Sequence, residues 1–162
     1  MCVLLGERAG LMRYQMKAQF VSQLLIPDMT DAEQAELDVI AEQITKLAQA
    51  RYTIDSETRQ EIVEGLGDPN KPLGNKLTAW WQLDFPALRA EVKKRYKREI
   101  AVKERKEWRD YHGEQQAAHQ RLTQQIILQE TRLNAIVYQL FNLTPEEIAL
   151  IETSTKYPYG EV

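Results

Sequence analysis

The chain has 162 residues and a formal net charge of −3, which admits one folded domain or one elongated module and excludes a polycation that meets nucleic acid by global attraction. Seven glycines and six prolines are too few for a turn-rich β-sandwich, and the single cysteine, Cys2, excludes an internal disulfide and fits a reducing cytoplasm. No apolar run approaches the roughly 20 residues that span a bilayer, and residues 1–5 are too short, without the right flanks, for a signal peptide.

The first β-like stretches are residues 2–5 and 18–26, the latter reading AQFVSQLLI and bounded by Pro27-Asp28. Thr30 then opens a helix. Thr30-Asp31-Ala32-Glu33 has the spacing of a capping box, in which the threonine accepts from the Glu33 amide while the glutamate reaches back. Apolar residues recur at Leu37, Ile40, Ala41, Ile44, Leu47, Ala48 and Tyr52, the three-and-four spacing of a one-sided stripe. A second helix is expected over 56–66, stopping at Gly65, Gly67 and Asp68-Pro69.

Residues 67–75, GDPNKPLGN, form the one linker, because two prolines and two glycines cannot continue a helix. Beyond it Trp80, Trp81, Leu83 and Phe85 make an aromatic knot. Pro86 suits the first turn of a helix over 87–97, with Leu88, Val92 and Tyr96 in its apolar row. A long helix follows over about 103–140. Its narrow seam reads Trp108, Tyr111, Ala118, Leu122, Ile126, Leu133, Ile136 or Val137, and Leu140, interrupted by Gln115, Gln125 and Gln129. So narrow a seam calls for a coiled-coil-like partner, and the helix that starts at Thr30 is the natural one, packed antiparallel. Gly113 costs roughly 1 kcal/mol relative to Ala in mid-helix and marks a place for a kink or fray. The helix breaks at Asn142-Leu143. Thr144-Pro145-Glu146-Glu147 repeats the capping box and starts a short helix over about 145–154. Its apolar residues Ile148, Leu150 and Ile151 are expected to fold back on the knot or on the end of the long helix. In the terminal tail, Tyr157 and Tyr159 are expected to dock on the body.

Five candidates for chemistry stand out in the sequence. Lys93, Lys94, Arg95, Lys97 and Arg98, with Lys103, Arg105 and Lys106 after them, are a basic run suited to contacts with a phosphate backbone, or else a solvated face that complements a helix C-terminus. Trp80, Trp81, Phe85, Tyr96 and Trp108 can stack on bases but more often form core or interface, since each ring buries a large apolar area. His112 and His119 lack a carboxylate or thiol at ligand spacing, so no metal site is expected and a solvated helix face is the default. GLGDPNKPLGNK lacks the strand-then-helix setting of a phosphate loop, and Cys2 has no partner for nucleophilic catalysis.

The order of long helix, LNAIVYQLFNLTPEEIALIE and STKYPYGEV resembles the extreme C-terminus of large adenine-specific DNA methyltransferases, the single-chain type IIG-like restriction–modification enzymes and their relatives. The stretch GERAGLMRYQ…QFVSQLLIPD is similar to the join where their target-recognition region ends, although the second proline of the usual turn is Met29 here. The resemblance implies residues 1–29 as the end of a recognition-like segment, and with the pattern read above the chain divides into a helical part over 30–66, a linker over 67–75 and a helical C-terminal region over 76–162. Those enzymes need a loop for S-adenosylmethionine and an Asn/Asp-Pro-Pro-aromatic tetrapeptide for the flipped adenine. Neither occurs here: Asp68-Pro69-Asn70 lacks the second proline and the aromatic residue.

The expectation is therefore a mainly α, elongated module with a long antiparallel helix pair and a small N-terminal β-like segment, without catalysis or cofactor of its own. Its function is expected to be that of a recognition or support piece of a methyltransferase or restriction–modification system. Its partners would be double-stranded DNA, bound weakly and without sequence preference, and a separate catalytic polypeptide, in the cytoplasm and away from membranes. The alternative is a coiled-coil adaptor between proteins with no DNA contact. Salt-dependent duplex binding separates the two.

Overall fold

The computed structural model describes residues 7–8, 14–15, 27–68 and 70–154. Strands β1 (Glu7–Arg8) and β2 (Tyr14–Gln15) pair antiparallel, with Glu7 opposite Gln15. The β-like stretches at 2–5 and 18–26 and the tail with Tyr157 and Tyr159 lie outside the described residues. The rest is helical: α1 (Asp31–Glu61) running into a π-helical turn (Ile62–Leu66), α2 (Asn75–Thr78), a 3-10 turn (Trp80–Gln82), α3 (Phe85–Tyr96), α4 (Arg105–Leu140) and α5 (Pro145–Ser154).

The start of α1 has both halves of its capping box. Thr30 Oγ1 accepts from the Glu33 amide at 3.2 Å and Glu33 Oε2 accepts from the Thr30 amide at 2.8 Å. The break expected between Tyr52 and Ser56 does not occur, and one helix replaces two. Thr53-Ile54-Asp55-Ser56 is poor in helix formers but contains no glycine or proline. The Thr53 hydroxyl bonds back to the Gln49 carbonyl at 3.0 Å, and Ile54 packs on the core, so packing overrides a weak propensity. Helix α3 starts two residues earlier than the sequence suggests, because the Asp84 side chain accepts from the Ala87 amide at 2.7 Å and caps it.

Helices α1 and α4 form a long antiparallel pair. Arg132 meets Glu36 at 2.5 Å near one end, Arg51 Nη1 donates to Thr123 Oγ1 at 3.3 Å in the middle, and Gly65 lies against Trp108 at the other end. At 1.5 Å per residue the 36 residues of α4 extend about 54 Å. The linker, α2, the 3-10 turn and α3 fold against one end of this stem. There Ile62, Leu66, Leu77, Trp80, Leu88 and Val92 form a buried core, flanked by Phe85 and Ile100.

At the opposite end Asn142 takes a left-handed conformation (φ 51°) and turns the chain. The second capping box then forms, with Thr144 Oγ1 accepting from Glu147 N at 3.3 Å and Glu147 Oε2 from Thr144 N at 2.8 Å. Helix α5 folds back on the end of α4 and not on the aromatic knot: Ile148 shares a groove with Tyr138 and Leu143, and the Tyr138 hydroxyl donates to Glu152 at 2.7 Å. Ile148 is half-buried and Leu150 exposed.

Two glycines make a paired test of this packing. A Cβ on Gly65 would stand 2.4 Å from Trp108 Cζ2, so Gly65→Ala is expected to cost about 1–3 kcal/mol by overpacking. Helix α4 runs unbroken through Gly113, where an added Cβ meets nothing within 4 Å, so Gly113→Ala is expected to stabilise by about 1 kcal/mol. Urea unfolding of both variants checks the opposite signs.

Candidate nucleic-acid interface

Helix α3 buries Phe85, Leu88 and Val92, three and four residues apart, and this phase turns Lys93, Lys94 and Lys97 outward. The run that looks uniform in sequence divides into different roles. Lys93 pairs with Glu99 at 2.5 Å, and that hydrogen bond holds the Glu99 carboxyl below its ordinary range. Arg95 donates from Nε and Nη2 to the Pro72 carbonyl at 2.9 and 2.7 Å, tying the linker to α3. Arg105 donates to the Ile100 carbonyl at 3.1 Å and closes the turn before α4. Lys103 reaches Glu104 only at 3.8 Å. Lys94, Lys97, Arg98 and Lys106 are exposed, and none forms an ion pair among the described residues.

Lys94, Arg95 and Lys97 line a groove of about 430 Å³ together with Lys71 and Lys76, which arrive from the linker and α2. The one carboxylate in its wall, Glu91, lies 3.4 Å from Lys76. Reading the sequence as a contiguous run missed Lys71 and Lys76, since some twenty residues separate them from it. No sequence signal marks the contact, which exists only once Arg95 donates to the Pro72 carbonyl of the linker.

The aromatic residues lie in and around one apolar cluster. Trp80 is fully buried and Phe85 nearly so, while Trp81, Tyr96 and Trp108 pack around them. Trp80 packs edge-on to Trp81 at 6.1 Å, and Trp81 stacks on His119 at 4.7 Å with the Arg59 guanidinium 5.6 Å from its ring centre. Tyr96 donates to the Lys71 carbonyl at 3.4 Å. These rings are committed to one another and to neighbouring side chains.

His112 and His119 were expected on a solvated face, and the structure corrects this: both are buried. They sit seven residues apart and share one heptad position with Ile126, which faces α1. His112 Nε2 lies 3.3 Å from the Trp80 carbonyl, and Gln116 donates to the carbonyls of Trp81 and Leu83 at 2.8 and 3.2 Å, so α4 grips the 3-10 turn. His119 Nε2 stands 3.6 Å from Asp55, with Arg51 and Arg59 on the same side of α1. Burial pushes the Asp55 carboxyl up, against the pull of His119 and both arginines. Burial holds His112 and His119 below the ordinary histidine value, although Trp80 and Asp55 respectively favour their charged forms. Among the described residues no group of three His, Cys, Asp or Glu is placed to hold a metal ion, and no helix is long and apolar enough to cross a membrane.

Residues 30–137 match a family described as a domain of unknown function (DUF8810). The chain belongs to this family. The matched span covers α1, the basic groove, the aromatic cluster and α4 as far as Val137. No curated protein and no solved structure matches the chain.

The buried histidines set a pH dependence. A histidine whose pKa is depressed on folding contributes stability that is present above its unfolded value of 6.5 and is lost as pH falls through the folded one. Asp55, raised by burial, acts with the opposite sign in the carboxylate range, where its protonation relieves the burial cost. The melting temperature is therefore expected to fall from pH 7 toward about pH 5. Replacing His112 and His119 together with Phe should flatten that slope. An equal slope in the double variant would assign the effect to other groups.

Proposed function

We propose that this member of the family is a non-catalytic helical support module of an adenine-specific DNA methyltransferase or restriction–modification system, whose basic edge lies on the DNA backbone. The observation that carries the reading is the exposed set Lys94, Lys97, Arg98 and Lys106 around the turn from α3 to α4. These cations lack carboxylate partners among the described residues, on a chain whose net charge is −3. A local positive edge on an acidic body attracts phosphate at short range while the body as a whole does not. Lysines spread along a turn supply affinity without reading bases. The enzyme class comes from the resemblance of the α4–α5 sequence, LNAIVYQLFNLTPEEIALIE, and of the STKYPYGEV tail.

A second reading, the protein–protein adaptor, is favoured by the end of the stem away from the groove, where Phe141 is 47% and Leu150 69% exposed. Both readings share the α1–α4 stem. They differ in where the partner sits.

Duplex DNA of mixed sequence is expected to bind with an affinity on the order of 10⁻⁴–10⁻⁶ M that falls steeply with salt. Changing Lys94, Lys97, Arg98 and Lys106 together to Glu should abolish binding and leave the melting temperature nearly unchanged. Lys93, Arg95 and Arg105 stay in place because they hold the fold. Full binding by the fourfold variant would leave the edge a solvated face. The pure protein, incubated with labelled S-adenosylmethionine and DNA, should transfer no methyl group. Stoichiometric binding of that cofactor in calorimetry would contradict the non-catalytic role.

A further inference from the structure

We propose that the groove between the 71–77 segment and α3 is a seat for one phosphodiester group of duplex DNA, with Arg95 as its fixed donor and Lys71, Lys76, Lys94 and Lys97 as its charges. This deepens the DNA reading above and rests on it.

Three observations converge on the groove. The first is its charge. Five cationic side chains line one groove of about 430 Å³ and face a single carboxylate, Glu91. Like charges gathered in one concavity repel, and an anion between them removes that cost. The second is pre-organisation. Arg95 gives Nε and Nη2 to the Pro72 carbonyl, and Tyr96 gives its hydroxyl to the Lys71 carbonyl. These bonds fix the guanidinium plane and the wall that carries Lys71. The Nη1 side of Arg95 has no partner among the described residues and presents a planar donor edge, the geometry that suits a tetrahedral oxyanion.

The third is Lys97. It ends α3 in the left-handed region, with φ 58°. Glycine or asparagine is the ordinary residue there, and a residue with a larger side chain costs stability. A lysine in a place that folding alone would give to glycine fits a side chain kept for its charge. Arg98 follows it directly and is exposed, so a strand seated in the groove continues along the same basic edge.

The test is fluorescence anisotropy of the full chain with a labelled mixed-sequence duplex over a range of salt. Each phosphate contact adds about one to the slope of log K against log salt. The Lys71→Ala/Lys76→Ala/Lys94→Ala variant should therefore lose about one from that slope, because the groove takes one phosphate, and should weaken binding equally for all sequences. Lys97→Gly should raise the melting temperature while lowering DNA affinity, a pairing that a purely structural lysine would not give. Inorganic phosphate should shift the backbone amide signals of the 71–77 segment and of Lys94–Lys97 saturably in NMR spectra, and should compete with the duplex. If both variants bind DNA with wild-type affinity and slope while an Arg98→Ala/Lys103→Ala/Lys106→Ala variant does not, the groove proposal is wrong and the DNA reading stands. If phosphate fills the groove but leaves duplex binding unchanged, the seat is for free phosphate and the proposal is again wrong. If the wild-type chain binds no duplex, the DNA reading itself fails and the proposal falls with it.

Discussion

Trp80 has no exposed surface, and most of the molecule is arranged to cover it. Burying a ring of this size removes on the order of 200 Å² of surface from water, worth about 5 kcal/mol. Its indole Nε1 has no hydrogen-bond partner among the described residues, which costs roughly 1–3 kcal/mol. The apolar gain wins, provided that the cover is complete. Completeness needs the 3-10 turn held flat against α4 by His112 and Gln116, α3 packed beneath it through Leu88 and Val92, and the widened last turn of α1 supplying Ile62 and Leu66. The linker is then short of freedom, and Arg95 and Tyr96 fasten it to α3. The basic groove is a consequence: it is the outer surface left when the linker is drawn onto α3 to close the core.

The stem sets its register with polar groups. An apolar seam repeats every seven residues and tolerates slipping by a heptad. Here Arg51, Asp55 and Thr58 on α1 and His112, His119 and Thr123 on α4 occupy the seam or its border, from the middle of the stem to the end nearest the core. Only the observed antiparallel register brings Arg51 to Thr123 and Asp55 to His119. Any other would part Arg51 from Thr123 and Asp55 from His119 and bury them against apolar neighbours, at several kcal/mol. The same burial that ties Asp55, His112 and His119 to one register shifts their protonation, so register and pH sensitivity have one cause.

The two ends of the stem differ in chemistry. One carries the core, the groove and the exposed cations. The other carries α5, with an acidic first turn of Glu146 and Glu147 and the exposed Phe141 and Leu150. The reading as a DNA support module rests on the first end and the adaptor reading on the second. The two readings of its function thus concern different surfaces, and duplex binding at the basic end separates them.

Much of the architecture is local and so was legible in the sequence. Thr30 and Glu33, and again Thr144 and Glu147, are three residues apart, and a capping box needs no distant partner. The stripe from Leu37 to Leu47 and the residues from Leu122 to Leu140 have helical period, and two matching seams joined by a linker imply an antiparallel pair. What failed was the reading of His112 and His119, in which polarity stood for exposure. Both occupy seam positions by their phase on the helix, yet their side chains read as surface. The phase was obscured because Tyr111 and Ala118, each one residue earlier, looked like the apolar choice. The candidate site was half legible. Its helix contributed a contiguous basic run, but the division of that run into Lys93, Arg95 and Arg105 as fold contacts and Lys94, Lys97 and Arg98 as free charge depends on Glu99, Pro72 and Ile100. Lys71 and Lys76 join the groove only once the linker has folded back. Caps and helical period are settled within a few residues of chain. Which face is covered, and which charge is left without a partner, is settled by segments that meet across the fold, and only the tertiary structure decides that.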